Sequence, residues 1–335
     1  MGVNAVLESI GNVRVVRGAI VYGSLVFEGR AVPVVLASGA HEGPTLLAVG
    51  LQHTGEFSGP AVFDSILAGL DCSELSGTLV CLPVANPLNY SASLDSVLHH
   101  HDGAPANINR QWPGDPASSN ALSRLAAFLW DRVVSKAGAI VDLHSCRVSD
   151  PFFAACLAGH RRSEELALVA GLDAIDLQTP QSYAPNLLFM EAPGRLNIPS
   201  VLIESPPTGF QPRHTVTRCM DAVTNLLHHL GMMKPVAGDT PGPSIAPPVF
   251  VRSLRATELI PAVGGFLGVR HWPGEFISRG DVVAEIRSVE TFEVVERLVS
   301  PLDGAVACVG DPGGSGFVKA GVPVAVVKPV GRIIA

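Results

Sequence analysis

The sequence predicts an α/β fold with a mostly parallel central sheet flanked by helices, followed by a small all-β, barrel-like C-terminal domain. Three observations lead there. Up to residue 232, apolar runs of strand length alternate with helical patterns. Residues 233–248, "MKPVAGDTPGPSIAPP", are proline-rich and carry no hydrophobic period, as a linker would. Beyond them, short Val-rich runs such as "DVVAEIRS", "GAVACVG" and "VPVAVV" follow one another between Gly-rich turns. The expected division is 1–232, a linker over 233–248, and 249–335.

The elements follow in order. Residues 13–37 read as strands, rich in Val and Ile with glycine breaks. "PTLLAVGLQ" is a fully apolar run of buried-strand length, and "EFSGPAVFDSILAGL" then shows helical spacing, with Val62, Ile66 and Leu70 on one face. "GTLVCLPVAN" is a second buried strand. The polar stretch over 86–117 is long for a loop in a compact domain, a length usually tied to function. "SNALSRLAAFLWDRVVSKA" is a helix expected to be capped by Ser118 or Ser119, and "AIVDLHS" is a strand. Apolar runs at "FFAACLA", "SEELALVAGL" and "IPSVLIES" precede a helix at "RHTVTRCMDAVTNLLHHLGM", which Gly231 stops.

Composition sets limits on what such a chain does. Of 335 residues, 47% are hydrophobic and 16% charged, which suits a well-cored soluble globule. A net charge of −7 without a basic face argues against nucleic acid as the partner. No apolar run reaches the roughly 18 residues of a membrane helix. The start "MGVNAVLESIGNVRV" lacks the pattern of a secretory signal, and Val6 breaks that of myristoylation. Six cysteines without a C-x-x-C pair read as buried free thiols, so a cytoplasmic protein is expected.

Polar residues at the ends of the buried strands carry the chemistry. In "GLQHTGEFSG", His53 and Glu56 sit in the turn after a buried strand, at the sheet edge where α/β proteins place their sites. Hydrolytic zinc commonly takes two histidines and one carboxylate, and "AIVDLHS" offers His144 at another strand end. "VLIES" ends a third strand at Glu204, positioned to serve as the base that a metal hydrolase needs. Alone, each has a bland reading: a hydrogen-bonded strand-end histidine, or a solvated glutamate. Together they suggest one site.

The motifs "GPTLLAVGLQHTGEFSGP", "LPVANPLNY", "NINRQWPGD", "VDLHS" and "VLIES" occur in the order found in the succinylglutamate desuccinylase/aspartoacylase family, within the zinc carboxypeptidase-like hydrolases. The chain resembles that family over roughly residues 30–232, and its tail is similar to the barrel-like module of longer bacterial members. The resemblance implies that His53, Glu56 and His144 hold one Zn²⁺ per chain and that Glu204 is general base and acid. It also places the family's Asn-Arg pair on Asn109 and Arg110, and the planar Arg110 fork suits a substrate carboxylate. Many members carry an arginine a few residues earlier to polarise the scissile carbonyl; here that stretch, "SLDSVLHHHDGAPA", has none. Either another group polarises the carbonyl, or the substrate differs, or activity is reduced. Arg147, three residues after His144, and Arg195, nine before Glu204, are expected substrate-binding residues.

The expected function is therefore a zinc-dependent amidohydrolase that removes an acyl group from a small amino acid or amine. The alternatives are a metallocarboxypeptidase acting on peptides and an inactive ligand-binding homologue. His99–His101 reads as a polar rim, and His228 and His229 as favourable charges at a helix C-terminus. The tail lacks a carrier lysine in "SVETFEVVERL". It is expected to cover the site or to join copies into a homo-oligomer.

Overall fold

The first ordered strands fold back on themselves wherever a turn permits it. In this computed structural model, residues 7–88, 107–147, 149–181, 185–234, 247–251, 255–310 and 316–331 are described. His99–His101, most of the 86–117 loop and most of the 233–248 linker lie outside them. Strands β1 (Ser9–Ile10) and β2 (Val13–Arg14) form a small hairpin. Strands β3 (Ala19–Phe27) and β4 (Arg30–Ser38) form a long one, closed by Glu28 and Gly29. Both turn residues have positive φ, +45° and +78°, as the tight turn between twisted strands demands.

The sheet then grows by crossovers. Strands β5 (His41–Gly50), β6 (Ser76–Leu82) and β7 (Ala139–Ser145) are followed by β8 (Phe153–Leu157), β9 (Ala174–Gln178), β10 (Ser200–Ser205) and β11 (Val249–Val251). With β3, β4 and β20 (Val330–Gly331), they form a ten-stranded sheet of order β20-β11-β9-β8-β10-β7-β5-β6-β4-β3. The pairs β5–β6, β5–β7, β7–β10, β8–β9 and β9–β11 are parallel. Strand β8 runs antiparallel to β10, and the N-terminal hairpin is antiparallel.

Helices cover both faces. Helices α1 (Ser58–Gly69), α3 (Arg161–Val169) and α5 (Arg213–His229) bury Phe63, Leu166 and Leu226 against one side. Helices α2 (Ala121–Arg132) and α4 (Leu188–Leu196) bury Leu125 and Leu188 on the other. A sheet buried on both faces accounts for the apolar strands β5, β7 and β10. The cap of α2 is Asn120, whose side chain accepts from the Leu122 N–H at 3.0 Å, rather than Ser118 or Ser119. Ser118 instead accepts from the Asn120 N–H.

The C-terminal region is built from two antiparallel four-stranded sheets packed on a small core of Val, Leu and Ile. One contains β12 (Thr257–Leu259), β14 (Phe276–Ile277), β17 (Gly304–Val309) and β19 (Ala325–Lys328). The other contains β13 (Gly265–Val269), β15 (Val282–Arg287), β16 (Val294–Val299) and β18 (Phe317–Val318). The segments that enter and leave it, β11 and β20, extend the central sheet beside β9. All six cysteines are free thiols.

Candidate metal centre and cavity

Strand β5 ends at Gly50, and the chain turns sharply through Leu51, at φ +52°, before α1 begins at Ser58. That turn carries Gln52, His53 and Glu56. An isolated bridge ties Glu56 to Gly209, in the segment after β10. His144 lies near the end of β7 and pairs in register with Glu204 on β10. Its carbonyl accepts from Ser58 Oγ at 2.9 Å and from Ser205 Oγ at 3.0 Å, fixing the strand end against its neighbours.

Glu56 stands between the two histidines. His53 Nδ1 lies 3.0 Å from Glu56 Oε1, and His144 Nδ1 lies 2.8 Å from Oε2. The opposite nitrogens have partners too: His53 Nε2 is 2.9 Å from Asn107 Oδ1, and His144 Nε2 is 3.1 Å from Asp142 Oδ2. The Asn109 N–H donates to that same Asn107 atom at 2.7 Å, which identifies it as the oxygen. Each Nε2 therefore carries its proton, and each Nδ1 is directed at the shared carboxylate. Behind Asp142, Gln52 Nε2 donates to Oδ2 at 2.7 Å and Trp112 Nε1 donates to Gln52 Oε1 at 2.8 Å. A buried hydrogen-bonded chain thus orients His144 from behind.

The electrostatics favour a cation at this point. Burial penalises the Glu56 charge, yet the two histidines outweigh it and hold the carboxyl well below its usual range. Burial likewise works against a charged His144, but Asp142 and Glu56 more than offset it and raise its pKa. Glu204 behaves in the opposite way. Burial first, then the Glu56 charge, push its carboxyl up to about 8, and its Oε2 has no hydrogen-bond partner among the described residues. The ligand atoms of His53, Glu56 and His144 all lie within 4.8 Å of one another. Two imidazoles and a carboxylate form the N₂O donor set of a hydrolytic zinc site, so these residues fit a metal ion.

A cavity of about 600 Å³ opens above this cluster. Of the sequence-predicted substrate residues, Asn109, Arg110 and Arg147 line it. Asn109 Oδ1 accepts from the Leu188 N–H at 3.0 Å, and Arg110 Nη1 donates to the Asn109 carbonyl at 2.7 Å. Arg147 is clamped by Asp150 through two hydrogen bonds of 3.1 Å. Arg195 is placed elsewhere: it lies on the outward face of α4, its side chain is 58% exposed and bonded to Glu191 one turn earlier, and it does not line the cavity. Helical geometry accounts for this placement, because side chains four apart share a face and this one faces away from the cavity.

Sequence reasoning missed the orienting Asn107, Gln52 and Trp112, and it missed the far wall of the cavity. That wall combines Asp176 and Gln178 of β9, Phe250 of β11, and Cys308 and Lys328 of the C-terminal sheets. A signal for part of it was present. "AIDLQ" places two polar residues two apart in a buried strand, hence on one face.

Comparison with known proteins gives a consistent answer. Residues 42–230 match the model of the succinylglutamate desuccinylase/aspartoacylase catalytic domain. The N-alpha-acetyl-L-2,4-diaminobutyric acid deacetylase of Halomonas elongata is 30% identical over 105 residues, a stretch covering 31% of this chain and 29% of that relative. The structure of a succinylglutamate desuccinylase/aspartoacylase from Rhodobacter sphaeroides aligns with a TM-score of 0.62 at 23% identity, covering 93% of this chain and 94% of that one. The apo structure of the ectoine utilization protein EutE (DoeB) from Ruegeria pomeroyi aligns with a TM-score of 0.67 at 18% identity, covering 95% and 98%. At such identities the two structures speak for the shared fold alone. With more than half of its length matched by the family's catalytic-domain model, the chain belongs to the succinylglutamate desuccinylase/aspartoacylase family.

Proposed function

We propose that this protein is a zinc-dependent deacylase that hydrolyses the amide bond of an N-acylated small amino acid or amine. The observation that carries the reading is the convergence of His53, Glu56 and His144 on one point, with Glu204 one strand away in register. Family membership and the partial match to an amino-acid deacetylase support it. The working division is a hydrolase unit over 1–232 and a β module from 249, whose entering and leaving strands are sewn into the hydrolase sheet.

His53, Glu56 and His144 would hold the ion through Nδ1, a carboxylate oxygen and Nδ1. When bound, zinc supplies Lewis acidity to the acyl oxygen and brings water toward ionisation at neutral pH. Glu204 accepts the proton of the attacking water as its oxygen bonds to the acyl carbon. As the carbon–nitrogen bond breaks, Glu204 returns that proton to the departing amine. Burial and the neighbouring Glu56 charge raise the proton affinity of this carboxyl, which favours holding the proton between the two steps. Arg110 presents a guanidinium to a substrate carboxylate. The cavity falls within the ~300–1,000 Å³ of small-ligand pockets, which favours a small substrate over an extended peptide.

The test is elemental analysis combined with turnover on a panel of N-acyl amino acids. Wild-type protein is expected to carry close to one zinc per chain, and His144→Ala to lose it while remaining folded. Glu204→Gln is expected to keep the metal and lose turnover by ~10²-fold or more. Near-normal turnover in that variant would remove Glu204 from the mechanism.

A further inference from the structure

The floor of the cavity beside Glu204 is apolar, and strand register makes it so. Glu204 pairs with Phe153, and Leu202 with Ala155, across β10 and β8. Paired residues share a face, so these four side chains rise from the same side of the sheet, and all four line the cavity. Phe153 stands one strand from Glu204, about 5 Å between backbones, and Leu202 lies two residues back along β10, about 7 Å. Helix α4 adds to the same surface. Leu187 and Phe189, at its start, line the cavity and pack with Ala155 and Leu202 in one buried cluster, with Phe153 against it.

That start of α4 is fastened to the metal end of the site. The Leu188 N–H donates to Asn109 Oδ1 at 3.0 Å, and Asn186 Nδ2 donates to the Arg110 carbonyl at 3.4 Å. The apolar surface therefore adjoins both Glu204 and the Asn109–Arg110 pair. A hydrocarbon group laid on it removes apolar area from water on both partners. A charged group there would give up hydration against Leu, Ala and Phe side chains. Of the described cations in the cavity, Arg147 is clamped by Asp150. Lys328 Nζ stands 5.3 Å from the centroid of the Phe250 ring, on a strand three removed from β10.

Resting on the deacylase reading above, we propose that Phe153, Ala155, Leu202, Leu187 and Phe189 form a subsite for an uncharged hydrocarbon arm of the substrate. The enzyme is then selective for N-acyl amino acids whose arm ends in a methyl or ring carbon rather than in a second charge. With the carboxylate at Arg110 and the amide nitrogen at Glu204, the side chain of the amino-acid half is the group that this surface meets first. A longer acyl chain offers the same chemistry from the other side of the amide bond.

The experiment compares kcat/KM of the zinc-loaded full chain along two series. Nα-acetyl derivatives of alanine, norvaline, glutamate and 2,4-diaminobutyrate vary the side chain, the last three ending in a methyl, a carboxylate and an ammonium. Alanine acylated with acetyl, butyryl or succinyl varies the acyl chain in the same way. Nα-acetylnorvaline is expected to exceed Nα-acetylalanine by ~10-fold or more, the worth of two buried methylenes, and to exceed both charged analogues. A rise with hydrocarbon length along either series upholds the subsite and shows which half of the substrate reaches it. Phe153→Ala is expected to shrink the ratio within the responding series several-fold, and Leu202→Ala serves if that variant fails to fold. Because the readout is a ratio within each protein, partial loss of stability does not mimic the effect. Two flat series overturn the subsite, as does preference for a charged arm, an acidic one pointing to Lys328 as the selecting group. An undiminished ratio in the variants also overturns it. If none of the compounds is hydrolysed, the deacylase reading fails separately, and calorimetric binding of the same compounds decides the subsite. Tighter binding of Nα-acetylnorvaline than of Nα-acetylglutamate upholds it, and equal or absent binding overturns it.

Discussion

At the scale of single residues, the nitrogen turned away from Glu56 decides how each histidine is held. Asp142 accepts from His144 Nε2 and is itself held by Gln52, so the imidazole can neither rotate nor change tautomer without breaking a buried hydrogen bond. Asp142→Asn keeps the shape but offers the ring an amide in place of a carboxylate. The expected result is zinc affinity lower by ~10–100-fold, with the ligands themselves unchanged, measured by competition against a chelator. Unchanged affinity would mean that ring orientation is fixed by packing alone. The candidate cluster was legible in the sequence because His53, Glu56 and His144 interrupt or end apolar runs, where a polar side chain needs a reason to be. Asn107 and Trp112 were not, since their roles depend on a loop folding back over the turn at Gln52, a contact without any local pattern. Arg195 shows the opposite hazard: its distance from Glu204 along the chain was suggestive, but the helix direction turned it outward.

At the scale of elements, the metal centre depends on how closely α1 meets β5. Gly59 and Gly50 touch backbone to backbone, and a Cβ added to Gly59 would stand 2.6 Å from the Gly50 Cα. Gly59→Ala must push the start of α1 away, and with it Ser58, which holds the His144 carbonyl, and Glu56 just before it. A loss of ~1–3 kcal/mol is expected from such overpacking, together with weakened zinc binding. Gly69→Ala, at the other end of the same helix with nothing within 4 Å, is the control and should be neutral or stabilising by up to ~1 kcal/mol. Chemical denaturation of the two variants checks both signs. Helices with regular apolar spacing, α1, α2 and α5, could be read from sequence. Helix α4 could not, because Pro193 and Gly194 break its pattern; burial of Leu188, Phe189 and Ala192 holds it, and Asn197 closes it in a left-handed conformation at φ +55°. The joining of β11 and β20 to the sheet also escaped, since pairing between distant segments leaves no periodic signature.

At the scale of the whole molecule, the buried charges tie stability to pH and to the metal. In the metal-free chain, burial and the Glu56 charge push the folded Glu204 carboxyl up to about 8, against an ordinary value of 4.5. Between those values the folded chain keeps a proton that the unfolded chain has lost, so stability falls as pH rises, by about 1.4 kcal/mol per pH unit for a full proton of difference. His144, raised above the ordinary 6.5 of an imidazole by Asp142 and Glu56, acts in the same direction: its contribution is complete below that value and is lost as pH climbs through its folded value. Glu56 is depressed, so its contribution is lost only on the acid side, as pH falls below 4.5 and through its folded value. On the alkaline side the chelated protein should therefore weaken. Zinc competes with protons for the same ligands, and its stabilisation should grow over the same range. Calorimetric melting of chelated and zinc-loaded protein at about pH 6 and about pH 8 is expected to show a lower Tm for the chelated form at the higher pH and a larger gain on adding zinc there. Chelated Glu204→Gln, which has no carboxyl to ionise, should lose less across that interval. An equal zinc increment at both values would mean that the buried cluster does not exchange protons for metal, and the electrostatic account of the centre would fall with it.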